Sequence, residues 1–170
     1  MSVIDDVVKA NEKFYQTFTG GNQPVRPQRK LAVLTCMDSR IDVFAILGLN
    51  NGDAHIIRNA GGIVTEDALR SLIISHHLLG TEEFLVINHT DCGLMMISED
   101  EMMKRMQQQS GTAAVSPAHF YTFRDLEDNV REQVQKLHTH PWLPDSIPVR
   151  GFVYDVRTGR LTEVNTRSRS

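Results

Sequence analysis

Cysteine is scarce in this chain, with Cys36 and Cys92 the only two in 170 residues. That excludes a disulfide framework, and a reducing compartment would keep the pair as thiols. Packing, redox chemistry and metal binding remain as their uses, and burial as inert thiols is the commonest fate of a free cysteine. Long apolar runs are lacking too: nothing approaches the roughly 20 residues that span a bilayer. The opening Ser2-Val3-Ile4-Asp5-Asp6 does not have the basic-then-apolar order of a secretory signal, so a cytoplasmic location is expected. Basic charge is not in excess. The 18 Lys and Arg against 21 Asp and Glu leave a formal net charge of -3, with the cations scattered, so neither nucleic acid nor membrane is an expected partner. What is present, 41% hydrophobic and 23% charged residues without internal repeats, is the composition of one globular domain with one core.

Ser2 followed by Asp5 and Asp6 reads as a helix start, and Ile4, Val7, Val8, Phe14, Tyr15 and Phe18 recur on one stripe, which predicts a helix over residues 3–18. Gly20-Gly21 stops it. Residues 22–29 carry Pro24 and Pro27 without periodicity and read as an extended link. Residues 1–28 are therefore expected to form a helical arm that packs elsewhere, on a second subunit, and residues 29–170 an α/β body.

In that body the pattern is strand, turn, helix, repeated. Leu31 to Thr35 is a short continuous apolar run, as expected of a strand buried on both faces of a parallel sheet. A short helix near Ile41 to Leu47 leads through Asn50-Asn-Gly-Asp53 into a second strand, Ala54 to Arg58. Thr65 with Glu66 and Asp67 marks the N-terminus of a helix closed by Gly80, and Glu83 to Asn88 is the third strand. Ser98 and Glu101 have capping-box spacing and open a Met-rich helix. Phe123, Leu126, Val130, Val134 and Leu137 set out another helix, followed by a strand from Val149 to Val156 and a hairpin through Thr158-Gly159 to Val164. The expected fold is α/β: a mainly parallel sheet of about four strands flanked by helices, with an extra C-terminal strand and the N-terminal arm.

Ligands of such sheets collect at the carboxyl ends of the strands, near a topological switch point. Three clusters fall there: Cys36 to Arg40, Arg58 to Gly62, and His89 to Gly93. Zinc takes thiolate and imidazole ligands, and catalytic sites supply three of them and leave a fourth position for water. Cys36, His89 and Cys92 make three, the last two from one loop. Two thiolates and a neutral imidazole bring the site to zero charge, so a water in the fourth position should have a pKa above the roughly 7 of a three-histidine site. Asp38 and Arg40 follow Cys36 at two and four residues and supply a hydrogen-bond acceptor and a cation able to grip it in two places. Gripped, Asp38 orients the water; released, it is able to become the fourth zinc ligand in a closed, inactive state.

Cys36-x-Asp38-x-Arg40 followed by His89-x-x-Cys92 resembles the signature of the β-class carbonic anhydrases, and Arg58-Asn-Ala-Gly61 resembles that family's intervening loop. The resemblance extends over nearly the whole chain. It implies reversible hydration of carbon dioxide to bicarbonate, one zinc held by Cys36, His89 and Cys92, and an orienting dyad of Asp38 and Arg40. It further implies a pocket lined by Ala60 and Gly61 and a homodimer, or a higher oligomer, with exchanged N-terminal helices. Some members have a second, inhibitory bicarbonate pocket with a Trp three residues before the first zinc cysteine; Val33 stands there in this chain. The stretch from Gly111 to Phe120 is short, as in the smaller prokaryotic-like members.

Two other functions use the same residues. A zinc hydrolase of carbonyl sulfide or carbon disulfide would need identical ligands. A non-catalytic zinc-binding protein would have Asp38 permanently in the fourth position, although such a site has no use for a cation that pulls the carboxylate away. His138 with His140, the methionines of the 95–106 stretch and His76 with His77 are read as structural, and His55 and His119 stand as candidate proton carriers. Purified protein is expected to carry about one zinc per chain. Cys92→Ser should lose most of it, and full zinc retention by elemental analysis would remove this ligand set.

Overall fold

A computed structural model describes residues 2–113 and 117–166. Part of the Gly111 to Phe120 stretch, residues 114–116, and the last residues of the expected body, 167–170, lie outside the described residues. Helix α1 (Val3–Thr17) begins at Ser2, whose hydroxyl and the Asp5 carboxylate form the two halves of a capping box. Among the described residues none of the α1 side chains is buried, and Ile4, Val7, Val8, Phe14, Tyr15 and Phe18 all stand in solvent.

The body follows as β1 (Leu31–Cys36), α2 (Val43–Leu47), β2 (Ala54–Asn59), α3 (Glu66–His77), β3 (Glu83–His89), α4 (Glu99–Ser110), α5 (Leu126–His138), β4 (Val149–Tyr154) and β5 (Leu161–Glu163). The strand order is β2-β1-β3-β4-β5, with the first four parallel and β5 antiparallel to β4. Strand β1 has partners on both edges and layers on both faces, and Ala32, Val33 and Leu34 are fully buried, the environment its unbroken apolar run predicts. Ala32 and Leu34 face α3 and α5 in a core with Leu72, Val86, Val130, Val134 and Leu137. Val33 and Cys36 belong to the opposite face with Ile41, Val43, Ile87, Cys92 and Tyr154.

The chain leaves β1 for one side of the sheet and returns on the other as β3, so the switch point lies between these two strands. The register puts Cys36 opposite Asn59 and Thr35 opposite Ile87, and the carboxyl ends of β1, β2 and β3 therefore open onto one edge.

Helix starts at Ser2, Thr65 and Ser98 agree with the sequence pattern because each is closed by a side chain within three residues. Two expectations are corrected. Phe123 does not belong to α5: Asp125 accepts from the Asp128 amide and starts the helix at Leu126, and Phe123 turns to the opposite core beside Leu94 and Met95. The terminal hairpin is wider than a two-residue turn, since Asp155 accepts from the amides of Arg157 and Thr158 and its own amide pairs with Arg160. Val156 leaves the ladder and donates to the Thr90 hydroxyl at 3.1 Å.

Helix α5 crosses β4 at Gly151, where a Cβ would run into Val130 Cγ1 and lie 3.0 Å from Val134 Cγ2. Gly151→Val is therefore expected to lower stability by about 1–3 kcal/mol through overpacking. Urea denaturation checks this, and an unchanged midpoint would show that α5 is free to move off the sheet.

Candidate metal centre

Cys36 is the last residue of β1 and His89 the last of β3, while Cys92 comes three residues later, in the loop that leaves β3. The tight loop is possible because Asp91 takes a left-handed conformation, φ 58°, tolerated by Asp among non-glycine residues. The two Sγ atoms and a His89 ring nitrogen lie within 4.8 Å of one another, and all three side chains are buried. The first three candidates of the sequence are thus brought together.

The imidazole is prepared for a cation. His89 Nδ1 lies 2.9 Å from the Thr90 carbonyl, which accepts only, so Nδ1 carries the proton and Nε2 faces the sulfurs. Among the described residues Nε2 is the buried side-chain polar atom without a hydrogen-bond partner. An orphaned nitrogen at full burial is costly, and a metal ion between it and two sulfurs would satisfy it. Two sulfurs and one nitrogen suit zinc in particular.

Charge inside the cluster is divided unevenly. A hydrogen bond from Cys92 is the largest influence on Cys36 and outweighs its burial; His89 and the amides of Asp38 and Gly61 add to it, holding the thiol well below the usual thiol range. The Cys92 thiol is pushed far up by the Cys36 sulfur and by burial. Burial presses His89 downward, but the neighbouring Cys36 thiolate prevails and its pKa is raised.

Asp38 and Arg40 form the expected pair. Arg40 Nε donates to Asp38 Oδ1 at 2.9 Å and its terminal nitrogen to Oδ2 at 2.7 Å, with a further bond from the Arg40 amide to Oδ1. These bonds hold the Asp38 carboxyl well below the usual carboxylate range. Its Oδ2 stands 3.9 Å from His89 Nε2, at the rim of the ligand triangle. Gly61 is buried and its N–H donates to Cys36 Sγ at 3.3 Å, whereas Ala60 is exposed. The Gly61 backbone has φ 83°, a conformation that favours glycine, and a Cβ there would meet the end of the Leu94 side chain at 2.8 Å. Val33 is fully buried in the sheet. His55 is engaged with Ser75 at 2.7 Å, and His119 lies 3.8 Å from Glu99 on the surface.

Two residues of the clusters named from the sequence have roles that the sequence does not give. Asp91 accepts from Arg40 at 2.8 Å and its carbonyl from the same guanidinium at 3.1 Å, so Arg40 is shared between two acids. A position between His89 and Cys92 was the available signal. Among the described residues Arg58 meets no carboxylate: it donates to the carbonyls of Cys36 and Ile41 at 3.0 Å and of Asp38 at 2.6 Å, strapping the loop that carries Asp38 and Arg40.

The chain matches the family model described as carbonic anhydrase over residues 31–161. It is 39% identical to a protein named β-carbonic anhydrase 1 from Mycobacterium tuberculosis, over 96% of this chain and 99% of that one. A protein from Saccharolobus solfataricus named carbon disulfide hydrolase is 33% identical over 96% of this chain and 90% of its own length. Among solved structures, a carbonic anhydrase from Streptococcus mutans superimposes with a TM-score of 0.91 at 42% identity, covering 97% of this chain and 99% of that one.

Because the Cys92 thiol has a raised pKa, zinc binding must displace the proton it holds, and any share of His89 protonated on both ring nitrogens must lose one as well. Titrating zinc into the metal-free protein near pH 7 should release about one to two protons per ion, and affinity should fall as pH falls. Calorimetry in buffers of different ionisation enthalpy measures the release. A pH-independent affinity with no proton release would remove the thiol and imidazole from the binding reaction.

Proposed function

This chain belongs to the β-carbonic anhydrase family, and from that premise we propose that it catalyses the reversible hydration of carbon dioxide to bicarbonate and a proton at a zinc centre formed by Cys36, His89 and Cys92. The observation that carries the reading is the orphaned His89 nitrogen facing two buried sulfurs, with a guanidinium-held carboxylate at their rim. When bound there, zinc supplies a Lewis acid that makes water a usable nucleophile near neutral pH.

The chain's own residues supply orientation. Arg40 keeps Asp38 ionised and turns both carboxylate oxygens into fixed acceptors. Placed 3.9 Å from His89 Nε2, Asp38 accepts a hydrogen bond from the attacking water and aims its lone pair at the carbon of carbon dioxide. Arg58 holds the carbonyls of Cys36, Asp38 and Ile41 and so keeps the dyad in register with the ligands. Ala60 and Gly61 line the approach. Release of Asp38 by Arg40 would let the carboxylate occupy the fourth zinc position and close the site.

Residues 1–170 are read as a single domain, with residues 1–28 an arm and residues 29–170 the catalytic body. The exposed apolar stripe of α1 supports a homodimer in which each arm covers its partner. Among the described residues no helix is long and apolar enough to cross a membrane, and together with the two free cysteines this supports a cytoplasmic location. Hydrolysis of carbon disulfide is the second reading, favoured by the full-length similarity to a protein of that name.

Stopped-flow hydration of carbon dioxide, run beside carbon disulfide hydrolysis on the same zinc-loaded sample, separates the two readings. In the hydration assay, Asp38→Ala and Arg40→Ala should each lower kcat/KM by about 10²-fold at near-normal zinc content. The double variant should be little worse than the poorer single one, because each residue acts through the other. Losses that simply multiply would show that the two residues act independently.

A further inference from the structure

The Gly61 peptide is held from both sides. Its N–H donates to Cys36 Sγ at 3.3 Å, and its carbonyl accepts from Asn88 Nδ2 at 2.9 Å. The same Asn88 nitrogen reaches the Gly62 carbonyl at 3.3 Å. Asn88 Oδ1 accepts from Asn129 Nδ2 at 2.7 Å, and Asn129 Oδ1 accepts from Gln133 Nε2 at 2.9 Å. Gln133 Oε1 accepts from the Val64 amide at 2.9 Å, with Lys136 Nζ at 3.5 Å. The circuit leaves the backbone at Gly61, passes through Asn88 of β3 and two positions of α5, and returns to the same segment at Val64.

Its direction is forced. A carbonyl only accepts, so Asn88 must turn its nitrogen to Gly61; a backbone N–H only donates, so Gln133 must turn its oxygen to Val64. The three side-chain amides are then aligned head to tail, and flipping any one would set donor against donor or acceptor against acceptor. Asn88, Asn129 and Gln133 are 0%, 5% and 1% exposed, so water does not substitute for a missing partner. Apolar side chains of like volume would hold α5 on the sheet without this desolvation. What amides add is a fixed rotation of the peptide they bind. The Gly61–Gly62 turn needs that, because both residues have positive φ and neither has a side chain to anchor it.

We propose that Asn88, Asn129 and Gln133 are positioning residues for the metal centre: their buried relay locks the Gly61 peptide so that its N–H stays on the Cys36 sulfur and limits the charge that sulfur donates to the metal. The proposal rests on the reading of Cys36 as a ligand. Hydrogen bonds to ligand atoms tune a metal in this way, and a chain of polarised amides strengthens the terminal bond. Neither α5 residue touches the ligands, and their effect runs through the Gly61 turn.

The test uses the full chain substituted with cobalt(II), comparing the natural protein with Asn129→Leu and Gln133→Met, alongside the zinc forms. With the N–H···S bond loosened, the sulfur becomes a stronger donor. The sulfur-to-cobalt charge-transfer band should move to longer wavelength, and the pH midpoint of activity of the zinc forms should rise by about half to one unit. Metal content should stay near that of the natural protein. A lower melting temperature with an unmoved band and midpoint would overturn the proposal, leaving the amides a role in folding alone. Absence of any sulfur-to-cobalt band in the natural protein would instead bring down its premise. Should neither variant fold, the natural protein loaded with NMR-active cadmium decides: a scalar coupling between the Gly61 amide proton and the metal through Cys36 is expected, and a resolved Gly61 signal without it overturns the proposal.

Discussion

Parallel pairing of β1 with β3 sets Thr35 opposite Ile87, with the Thr35 hydroxyl donating to the Ile87 carbonyl at 2.9 Å, and the chemistry of this chain depends on the next residues of each strand. One step beyond Thr35 is Cys36; two beyond Ile87 is His89. A slip of one residue in either strand would reverse the faces of its side chains and part the sulfur from the imidazole. The apolar residues behind them oppose such a slip. Val33, Leu34, Val86 and Ile87 are completely buried on alternating faces, so a shift would carry each of them to the wrong layer.

Around that pair, charge is arranged so that few groups are free to turn. Arg40 lies between Asp38 and Asp91, which places a cation between the loop after β1 and the loop after β3 and ties the two together. Each of these pairs is exposed to solvent and weak as a source of stability. Their value is directional, since a planar guanidinium fixes the planes of the carboxylates it grips. Arg58 does the same for three carbonyls, and Asn59 ties its own turn by exchanging hydrogen bonds with both the amide and the carbonyl of Ile63. The third level is the buried amide relay, which links this turn to α5. Rigid elements, local clamps and a buried network thus converge on a few atoms at the end of β1.

The sulfurs themselves are unequal. Cys36 accepts from the Gly61 amide at 3.3 Å, and its thiol is lowered while that of Cys92 is raised, so Cys36 is favoured as the thiolate of the pair. That asymmetry avoids two adjacent thiolates in a buried space, whose repulsion in low dielectric would be severe.

Interactions within one helical turn or one strand were legible in the sequence. Ser2, Thr65 and Ser98 announce helix starts because their partners lie at most three residues ahead, and the strands announce themselves by continuous apolar runs. Asp38 and Arg40 belong to the same class, being two residues apart, as do His89 and Cys92. Periodicity alone places Phe123 in α5, because it does not report where a cap interrupts it; Asp125 does so here. Contacts across long separations left no trace in the pattern: Arg40 with Asp91 spans 51 residues, Asn88 with Asn129 spans 41, and Arg58 with Asp38 spans 20. Asn129 and Gln133 stand four apart on the buried face of α5, where a reading of apolar residues passes over them. By itself, then, the sequence determined the elements, their order and the residue types able to bind a metal, because these follow from short-range sterics, burial periodicity and ligand chemistry. Only the tertiary structure decided which nitrogen of His89 faces the sulfurs, which acid shares Arg40 and which amides hold the Gly61 turn, because each depends on strand register and helix placement, which set distances between residues remote in the chain.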